Sequence, residues 1–327
     1  THPPHPSEDH VEAIVQPGQV LDMNIALWLA RSAERYPQQA AIAHGTDLWC
    51  NYAEFAQRAA RTAHWLRSQG VQPGDRVMLF MYNAPEYLPL MWGIWWCGAV
   101  AVPINAKLHE REAAWIAGHS EARLAFVDAE RASNFAQALH EQHATTAVAA
   151  EHDFMLQADG TQLALQARED DDPAWLFYTS GTTGRPKGVV LCARQLRGCA
   201  LAYLVSVQPV QRGDSMLHPA PLSHGGGMYH LPYVLSAGLN VLPRSDGFDP
   251  HEAMTLAAHW QRASFFAAPT MVRRLVDAAR TLPKRPQGLA TIVYGGGPMY
   301  LADIEEALQV IGPHFAQIYG QGESPMV

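Results

Sequence analysis

The stretch Leu176-Phe-Tyr-Thr-Ser-Gly-Thr-Thr-Gly-Arg-Pro-Lys-Gly-Val-Val190 joins two apolar runs through a connection of Ser, Thr, Gly and Lys. The apolar runs predict two strands, at residues 174–178 and 188–191. The polar residues between them predict a loop that turns the chain from one strand directly into the next.

The loop has the composition of an anion-binding site. Glycines let backbone amides approach a ligand closely, and here they are Gly181, Gly184 and Gly188. The hydroxyl donors are Thr179, Ser180, Thr182 and Thr183. Lys187 adds a positive charge, and several hydrogen bonds to a charged group, each worth roughly 1.5–3 kcal/mol, can together hold a polyphosphate. For a generic loop of this composition, an ordinary polar hairpin is the alternative.

The loop differs from a Walker A motif, in which Gly directly precedes the Lys and Ser or Thr follows it. Here Pro186 precedes Lys187 and Gly188 follows it. A second strand, rather than a helix, is predicted after the loop, so no helix dipole is expected to point at a bound phosphate.

Apolar strands and amphipathic helices alternate along most of the chain. This alternation predicts an α/β fold with layered αβα subdomains and largely parallel sheets. Further strands are predicted at residues 77–81, 99–103, 124–127, 215–218, 240–242, 264–266, 290–294 and 315–319. Helices are predicted after a capping box at Asn51 and Glu54, and at residues 87–97, 110–118 and 269–280.

The acidic stretch Arg168-Glu-Asp-Asp-Asp-Pro173 predicts a connector between two halves. We therefore divide the chain into a flexible N-terminal arm (residues 1–20), a first α/β subdomain (21–170) and a second α/β subdomain (171–327). The uncharged stretch from Tyr87 to Ala106 is interrupted by Pro and Gly, which favours a buried helix and strand over a transmembrane segment.

Composition excludes several classes of protein. With 48% hydrophobic and 17% charged residues, the chain is expected to fold. Its net charge of -8 argues against nucleic-acid binding. The 4 cysteines have no paired spacing, which predicts buried thiols in a reducing, cytoplasmic setting, and the 16 histidines are scattered rather than clustered as metal ligands. The sequence carries no signal for an oligomeric state.

Three more segments combine glycines with polar groups after predicted strands, where ligands bind in open α/β sheets. They are Pro221-Leu-Ser-His-Gly-Gly-Gly-Met-Tyr-His230, Tyr294-Gly-Gly-Gly-Pro298 and Tyr319-Gly-Gln-Gly-Glu-Ser324. On local sequence alone, a loop histidine before a flexible turn is the better explanation of the first segment. A tight strand-to-helix turn and a solvated loop carboxylate are the alternatives for the other two.

The segment Thr179-Ser-Gly-Thr-Thr-Gly-Arg-Pro-Lys-Gly188 matches the AMP-binding signature of the adenylate-forming superfamily. That family includes acyl-CoA and aryl-CoA synthetases, adenylation domains of peptide synthetases and beetle luciferases. The resemblance extends from about Asn24 onward, and Gly93–Asn105 and Asp172–Tyr178 resemble the segments that precede the signature in the family. It implies the fold of the large N-terminal domain of these enzymes, and the acyl-CoA synthetases are the most similar group.

The resemblance implies a role for each motif. The implied nucleotide-binding residues are Thr179, Ser180, Gly181, Thr182, Thr183, Gly184, Lys187, Gly295, Gly296, Gly297, Pro298, Tyr319, Gly320, Gln321 and Gly322. The implied substrate-binding residues are His224, Gly225, Gly226, Gly227 and Met228. Lys187, His224 and Glu323 are the implied catalytic residues, and Glu323 would also hold Mg²⁺, which favours one or two carboxylates plus substrate phosphates. Gly322 departs from the family pattern, which has Thr there, and so lacks a hydroxyl that ordinarily faces the nucleotide phosphate.

The implied reaction uses ATP, Mg²⁺ and coenzyme A. A small-molecule carboxylic acid attacks the α-phosphorus of ATP, and the acyl-AMP then transfers its acyl group to the thiol of coenzyme A. Two alternatives stay open: transfer to a carrier-protein thiol, and a nucleotide-binding fragment without turnover. Members of the family continue past the position matching Val327 into a small domain with a catalytic lysine, so we expect the 327-residue chain alone to be nearly inactive.

Overall fold

The computed structural model describes residues 23–150, 161–179 and 185–325 of the chain. Within these residues, strands and helices alternate and build two sheets. The predicted N-terminal arm lies outside the described residues, and so do five loop positions: Ser180, Gly181, Thr182, Thr183 and Gly184.

The strands are short, as expected for a sheet whose helices cover its faces. In chain order they are β1 Ala40–His44, β2 Asp47–Asn51, β3 Arg76–Phe80, β4 Val100–Pro103, β5 Ala122–Val127, β6 Ala147–Ala150, β7 Pro173–Thr179, β8 Lys187–Cys192, β9 Ser215–Leu217, β10 Leu239–Leu242, β11 Ala263–Ala267, β12 Leu289–Tyr294 and β13 Phe315–Gln317.

The helices connect most of these strands. They are α1 Leu27–Arg35, α2 Tyr52–Ser68, α3 Tyr87–Trp96, α4 Glu110–His119, α5 Ala132–Glu141, α6 Ala193–Ser206, α7 His230–Leu235, α8 Pro250–Trp260, α9 Pro269–Arg280 and α10 Leu301–Val310. Short 3₁₀ turns occupy Ala129–Arg131 and Gly225–Tyr229. None of the helices in the described part of the chain has the length and apolar character needed to cross a membrane.

Both sheets are largely parallel, which confirms the predicted α/β class. The six-stranded sheet has the order β6-β5-β3-β4-β7-β8, and only its last pair, β7 with β8, is antiparallel. The seven-stranded sheet has the order β13-β12-β11-β9-β10-β1-β2, and only β1 with β2 is antiparallel.

The two sheets do not follow the division predicted at residue 170. β1 and β2 come from the first half of the chain but join the seven-stranded sheet, while β7 and β8 come from the second half and join the six-stranded sheet. The alternation of strands and helices predicts where strands occur, but it does not predict which sheet each strand joins. β1, β2 and β6 are not among the strands that the sequence predicts.

Helix α2 begins at the predicted capping box. The Asn51 side chain accepts a hydrogen bond from the Glu54 amide at 2.9 Å, and the Glu54 carboxylate accepts one from the Asn51 amide at 3.0 Å. Two backbone donors at the helix start are thereby satisfied. The buried face of α2 packs against α3, where Gly93 is required because a β-carbon there would lie 2.4 Å from Cβ of Thr62.

Helix α3 supports the strand that leads into the polar loop. It is apolar all round and, except for Trp96, buried, as the uncharged stretch predicted. The Trp95 indole donates a hydrogen bond of 2.7 Å to the Ala174 carbonyl in β7, and its ring lies 6.0 Å from that of Trp175. The core therefore fixes the start of β7 at two adjacent residues.

Two histidines are enclosed in the core between the sheets. His218 is 2% exposed, and its Nε2 lies 3.0 Å from Asn240 Oδ1. His230 is fully buried against Trp92 and Trp95. Burial lowers the pKa of His218 to about 4 and lowers the pKa of His230 well below its usual range. Both rings are therefore neutral in the folded protein.

The buried histidines predict a loss of stability in acid. An unfolded histidine binds a proton below about pH 6.5, whereas the folded His218 does not do so until about pH 4. Unfolding is therefore favoured as the pH falls from about 6.5 towards 4, by on the order of 3 kcal/mol for His218 alone. The measurement is the thermal unfolding midpoint at several pH values in this range.

Two variants separate the pH dependence of stability that comes from a buried histidine from that of an exposed one. His230→Phe removes one titrating ring and keeps an aromatic group beside the tryptophans, so the midpoint should fall less steeply with decreasing pH than in the wild type. His251→Gln, at an exposed position of α8, is the matched control and should keep the wild-type slope. Equal slopes in all three proteins would contradict the conclusion that His230 is a buried, neutral histidine whose protonation opposes folding.

Candidate active site

The polar loop connects the antiparallel strands β7 and β8, as the sequence predicted. Tyr178 pairs with Gly188, and Thr179 pairs with Lys187. Residues directly opposite each other in an antiparallel pair project to the same face of the sheet. The Lys187 side chain therefore leaves the hairpin on the same face as Thr179, and it is exposed there.

Helix α4 holds the base of this hairpin. The Tyr178 hydroxyl lies 2.7 Å from Nδ1 of His119, within hydrogen-bonding distance, and burial raises the pKa of Tyr178 to about 12, so the hydroxyl keeps its proton. The His119 ring stacks on Trp115 at 4.7 Å, and the Arg185 guanidinium lies 5.8 Å from the centre of the same indole. Both ends of the loop thus contact one helix.

The segment after β13 lies against the same hairpin. Gln321 and Ser324 exchange backbone hydrogen bonds of 3.2 and 3.0 Å, so Gly322 and Glu323 form the two central residues of a tight turn. A β-carbon on Gly322 would lie 3.0 Å from the γ-methyl of Thr179. The turn therefore rests on the face of the hairpin from which Lys187 projects, with the Glu323 side chain exposed at its tip.

Tyr319 and the glycines after β12 lie at the adjacent strand ends. β12 and β13 are parallel neighbours, and the amide of Ile318 donates a 2.9 Å hydrogen bond to the Tyr294 carbonyl. Gly295 is required for this approach, since a β-carbon there would lie 2.7 Å from the Ile318 carbonyl oxygen. Gly296, with φ of +79°, adopts a left-handed conformation that favours glycine.

These residues leave surface available for a flat ring. Tyr319 is 82% exposed, and Gly296, Gly297 and Pro298 are exposed beside the strand ends. The strand itself ends at Gln317, two residues before the predicted end, so Tyr319 and Gly320 belong to the loop.

Phe266, at the end of β11, connects the glycine loop to the His224 segment. A β-carbon on Gly296 would lie 3.8 Å from this ring, and one on Gly226 would lie 3.1 Å from it. The ring also stacks on Tyr229 at 5.8 Å. The hairpin, the Glu323 turn, the glycine loop and the His224 segment therefore form one continuous surface along the carboxyl ends of the strands.

The His224 segment is more enclosed than its sequence suggested. A β-carbon on Gly227 would lie 1.8 Å from the Leu222 carbonyl oxygen, and Met228 is fully buried, so close packing accounts for both positions. At Gly225, by contrast, a β-carbon would meet nothing within 4 Å. His224 keeps part of its surface exposed, with Nδ1 3.0 Å from Ser223 Oγ, and partial burial of the imidazole lowers its pKa, so the ring is neutral near pH 7.

Asn83 fixes the position of this segment and was not predicted. Its amide donates to the carbonyls of His218 and Ala220 at 3.0 and 2.9 Å, and its Oδ1 accepts from the Leu222 amide at 2.9 Å. Asn83 follows β3 of the six-stranded sheet, so these bonds join the two sheets at their carboxyl ends. The sequence feature that could have identified Asn83 is its position just after a predicted strand.

A cavity of about 210 Å³ lies beside this junction. Asn83 and Lys107 line it from the six-stranded sheet, and Ser223 and Arg274 line it from the other. Pro221 and Ser223 of the His224 segment line it, whereas the described nucleotide-motif residues do not. In the described ranges, no group of three or more His, Cys, Asp or Glu residues is placed to hold a metal ion, and the four cysteines are buried and free.

The sequence matches known proteins along most of its length. Residues 29–327 match the family model of AMP-binding enzymes. Feruloyl-CoA synthase from Amycolatopsis sp is 31% identical over 313 residues, which cover 93% of this chain and 60% of that protein. Fatty acid–[acyl-carrier-protein] ligase ScoC from Streptomyces coeruleorubidus is 30% identical over 87% of this chain and 55% of that protein.

Solved structures share the fold. The inhibitor-bound N-terminal domain of FACL13 from Mycobacterium tuberculosis superposes with a TM-score of 0.78 at 26% identity, over 91% of this chain and 75% of that one. ATP-bound MatB from Rhodopseudomonas palustris gives a TM-score of 0.81 at 24% identity, over 93% and 61%. The chain spans about 60% of the length of the feruloyl-CoA synthase that it matches. The match over residues 29–327 establishes that the chain belongs to the family of AMP-binding enzymes.

Proposed function

We propose that this protein activates a carboxylic acid with ATP and transfers the acyl group to coenzyme A. In the first step a carboxylate oxygen attacks the α-phosphorus of ATP, forming acyl-AMP and releasing pyrophosphate. In the second step a thiol attacks the acyl carbonyl and AMP leaves. Membership of the AMP-binding family and the CoA ligases among the relatives support this reaction.

The observation that carries the proposal is the packing of the Glu323 turn against the hairpin that bears Lys187. A triphosphate needs positive charge and backbone donors on one side and a metal-binding carboxylate near the same phosphates. The hairpin supplies Lys187 and Thr179, and the proposed phosphate donors continue through Ser180, Gly181, Thr182, Thr183 and Gly184. Glu323 supplies the carboxylate.

The remaining residues have roles that their positions support. The exposed ring of Tyr319 would stack on adenine, and Gly295–Pro298 and Gly320–Gln321 would approach the nucleoside through their backbones. His224, whose imidazole is neutral, would hydrogen-bond the substrate carboxylate at the mouth formed by Gly225. Gly226, Gly227 and Met228 would act by shaping this loop, because they are packed in protein.

Mg²⁺ fits this arrangement with a single protein ligand. Glu323 is exposed at the tip of a two-residue turn, and Mg²⁺ commonly takes one or two carboxylates and completes its shell with substrate phosphates and water. When bound, the ion would neutralise charge that develops on the phosphate oxygens.

The thiol acceptor has an alternative. ScoC, a relative at 30% identity, is a fatty acid–[acyl-carrier-protein] ligase, which favours a carrier-protein thiol as the second candidate. Direct comparison of coenzyme A with a phosphopantetheine-bearing carrier protein as acceptors distinguishes the two.

The test of the proposal is ATP–pyrophosphate exchange with a panel of aryl and aliphatic acids. Exchange reports acyl-AMP formation and needs no thiol acceptor. It is measured with the 327-residue chain and with any longer form of the protein, alongside calorimetric binding of MgATP. Absence of both nucleotide binding and exchange in every form would overturn the proposal.

Lys187→Ala should weaken ATP binding. Loss of a hydrogen bond to a charged group, worth roughly 1.5–3 kcal/mol, corresponds to about a tenfold to hundredfold rise in Kd. Lys284→Ala, in the loop before β12, removes the same charge away from the hairpin and is the matched control. Isothermal titration calorimetry measures both, and equal Kd values for the two variants would argue against the phosphate role of Lys187.

Glu323→Gln should weaken binding of MgATP by about tenfold, or ~1.4 kcal/mol, and should leave binding of metal-free ATP unchanged. The amide keeps the size of the side chain but removes the charge that Mg²⁺ requires. Glu305→Gln on α10, which is also exposed, controls for general charge effects. If Glu323→Gln weakened both forms of ATP equally, Glu323 would not be the metal ligand.

A further inference from the structure

Gly322 occupies an unusual place in the candidate site. It is buried, although its neighbours Gln321 and Glu323 in the tight turn are exposed. Its backbone is not among the glycines with a left-handed conformation. The requirement for glycine at this position is therefore steric and does not come from the φ angle.

Three side chains of the hairpin surround the position. A β-carbon on Gly322 would lie 3.0 Å from the γ-methyl of Thr179, 3.2 Å from Cδ1 of Phe177 and 3.3 Å from Cγ2 of Val189. Phe177 and Val189 are cross-strand partners, and Thr179 follows Phe177 by two residues on the same face. All three distances are tighter than ordinary van der Waals contact, so a β-carbon at position 322 would require the turn or these side chains to shift by a few tenths of an ångström.

We propose that Gly322 is a positioning residue that sets the separation between Glu323 and Lys187. The inference rests on the proposed nucleotide site. Glu323 is covalently next to Gly322, and Lys187 is the cross-strand partner of Thr179, so the Gly322–Thr179 contact links the two residues that bear the carboxylate and the ammonium. Mg²⁺ requires ligand distances of about 2.0–2.1 Å, so a shift of a few tenths of an ångström at this contact would disturb a shared phosphate.

The family pattern leads to the opposite expectation for a larger residue at position 322. The resemblance implies that a threonine at position 322 would add a hydroxyl facing the phosphate and would strengthen binding. The contacts indicate the reverse for this chain, because the γ-methyl of Thr179 already occupies the space beside the Gly322 α-carbon. Gly322→Thr therefore distinguishes the two expectations, because the family pattern predicts tighter nucleotide binding and the contacts predict weaker binding.

The test is a double-mutant cycle on MgATP binding, with Kd measured by calorimetry. Gly322→Ala and Gly322→Thr should each raise Kd by about tenfold, or ~1.4 kcal/mol, because the shift at this contact moves Glu323 relative to Lys187. Thr179→Ser removes the γ-methyl and keeps the hydroxyl. In the Thr179→Ser background, Gly322→Ala should therefore cost clearly less than in the wild-type background.

Gly198→Ala on α6 is the matched control, because a β-carbon at Gly198 would meet nothing within 4 Å. It should leave Kd unchanged. Unfolding midpoints are measured for every variant, and if Gly322→Ala does not fold, the Thr179→Ser/Gly322→Ala protein must still fold and bind. Failure of that double variant to bind would overturn the inference.

Two other results are decisive. If Gly322→Thr binds MgATP as tightly as the wild type or more tightly, or if the alanine costs the same in both backgrounds, Gly322 does not act through the hairpin contact. In either case the nucleotide site itself would stand. If the wild-type protein binds no nucleotide, the proposed function falls and the inference falls with it.

Discussion

The contact between the Gln321–Ser324 turn and the β7–β8 hairpin is the interaction on which the candidate site depends. The turn follows the edge strand of the seven-stranded sheet, and the hairpin is the edge of the six-stranded sheet. Each sheet alone carries only part of the proposed nucleotide site, since Lys187 belongs to one and Glu323 follows the last strand of the other. At this contact a glycine allows the two edges to approach within van der Waals distance.

The surrounding structure holds each edge in place. Trp95 bonds to Ala174 at the start of β7, and His119 bonds to Tyr178 near its end, so the hairpin is supported from two helices. On the other side, Asn83 ties the loop after β9 to the six-stranded sheet through three hydrogen bonds. Phe266 fills the space between the glycine loop and the His224 segment. Short polar bonds and close-packed rings, rather than a shared strand, therefore join the sheets at the site.

The sequence predicted the features that depend on local pattern. The hairpin, the capping box of α2 and helix α9 at Pro269–Arg280 follow from apolar periodicity, turn residues and caps over a few positions. β1 and β6 escaped prediction because they are short and alanine-rich, and β2 because its apolar run is only three residues long, between Asp47 and Asn51. The sequence also does not predict the roles of Asn83 and Phe266, because their partners are distant in sequence. Nor does local sequence distinguish a glycine required by close packing, such as Gly227, from one with open space beside it, such as Gly225.

The exchange of strands across residue 170 has a consequence for how the polypeptide is made. Among the described strands β1 pairs with β10 and β2, and Asp47 at the start of β2 forms an ion pair with Arg244, 197 residues further along the chain. Closing so long a loop is entropically costly before any contact is gained, and folds rich in such contacts form slowly. On the ribosome, the N-terminal hairpin would leave the exit tunnel long before its partner strand is synthesised. Until β10 is synthesised, the nascent chain would therefore carry an unpaired sheet edge. If the chain were cut at residue 170, neither half would be expected to complete a sheet of its own.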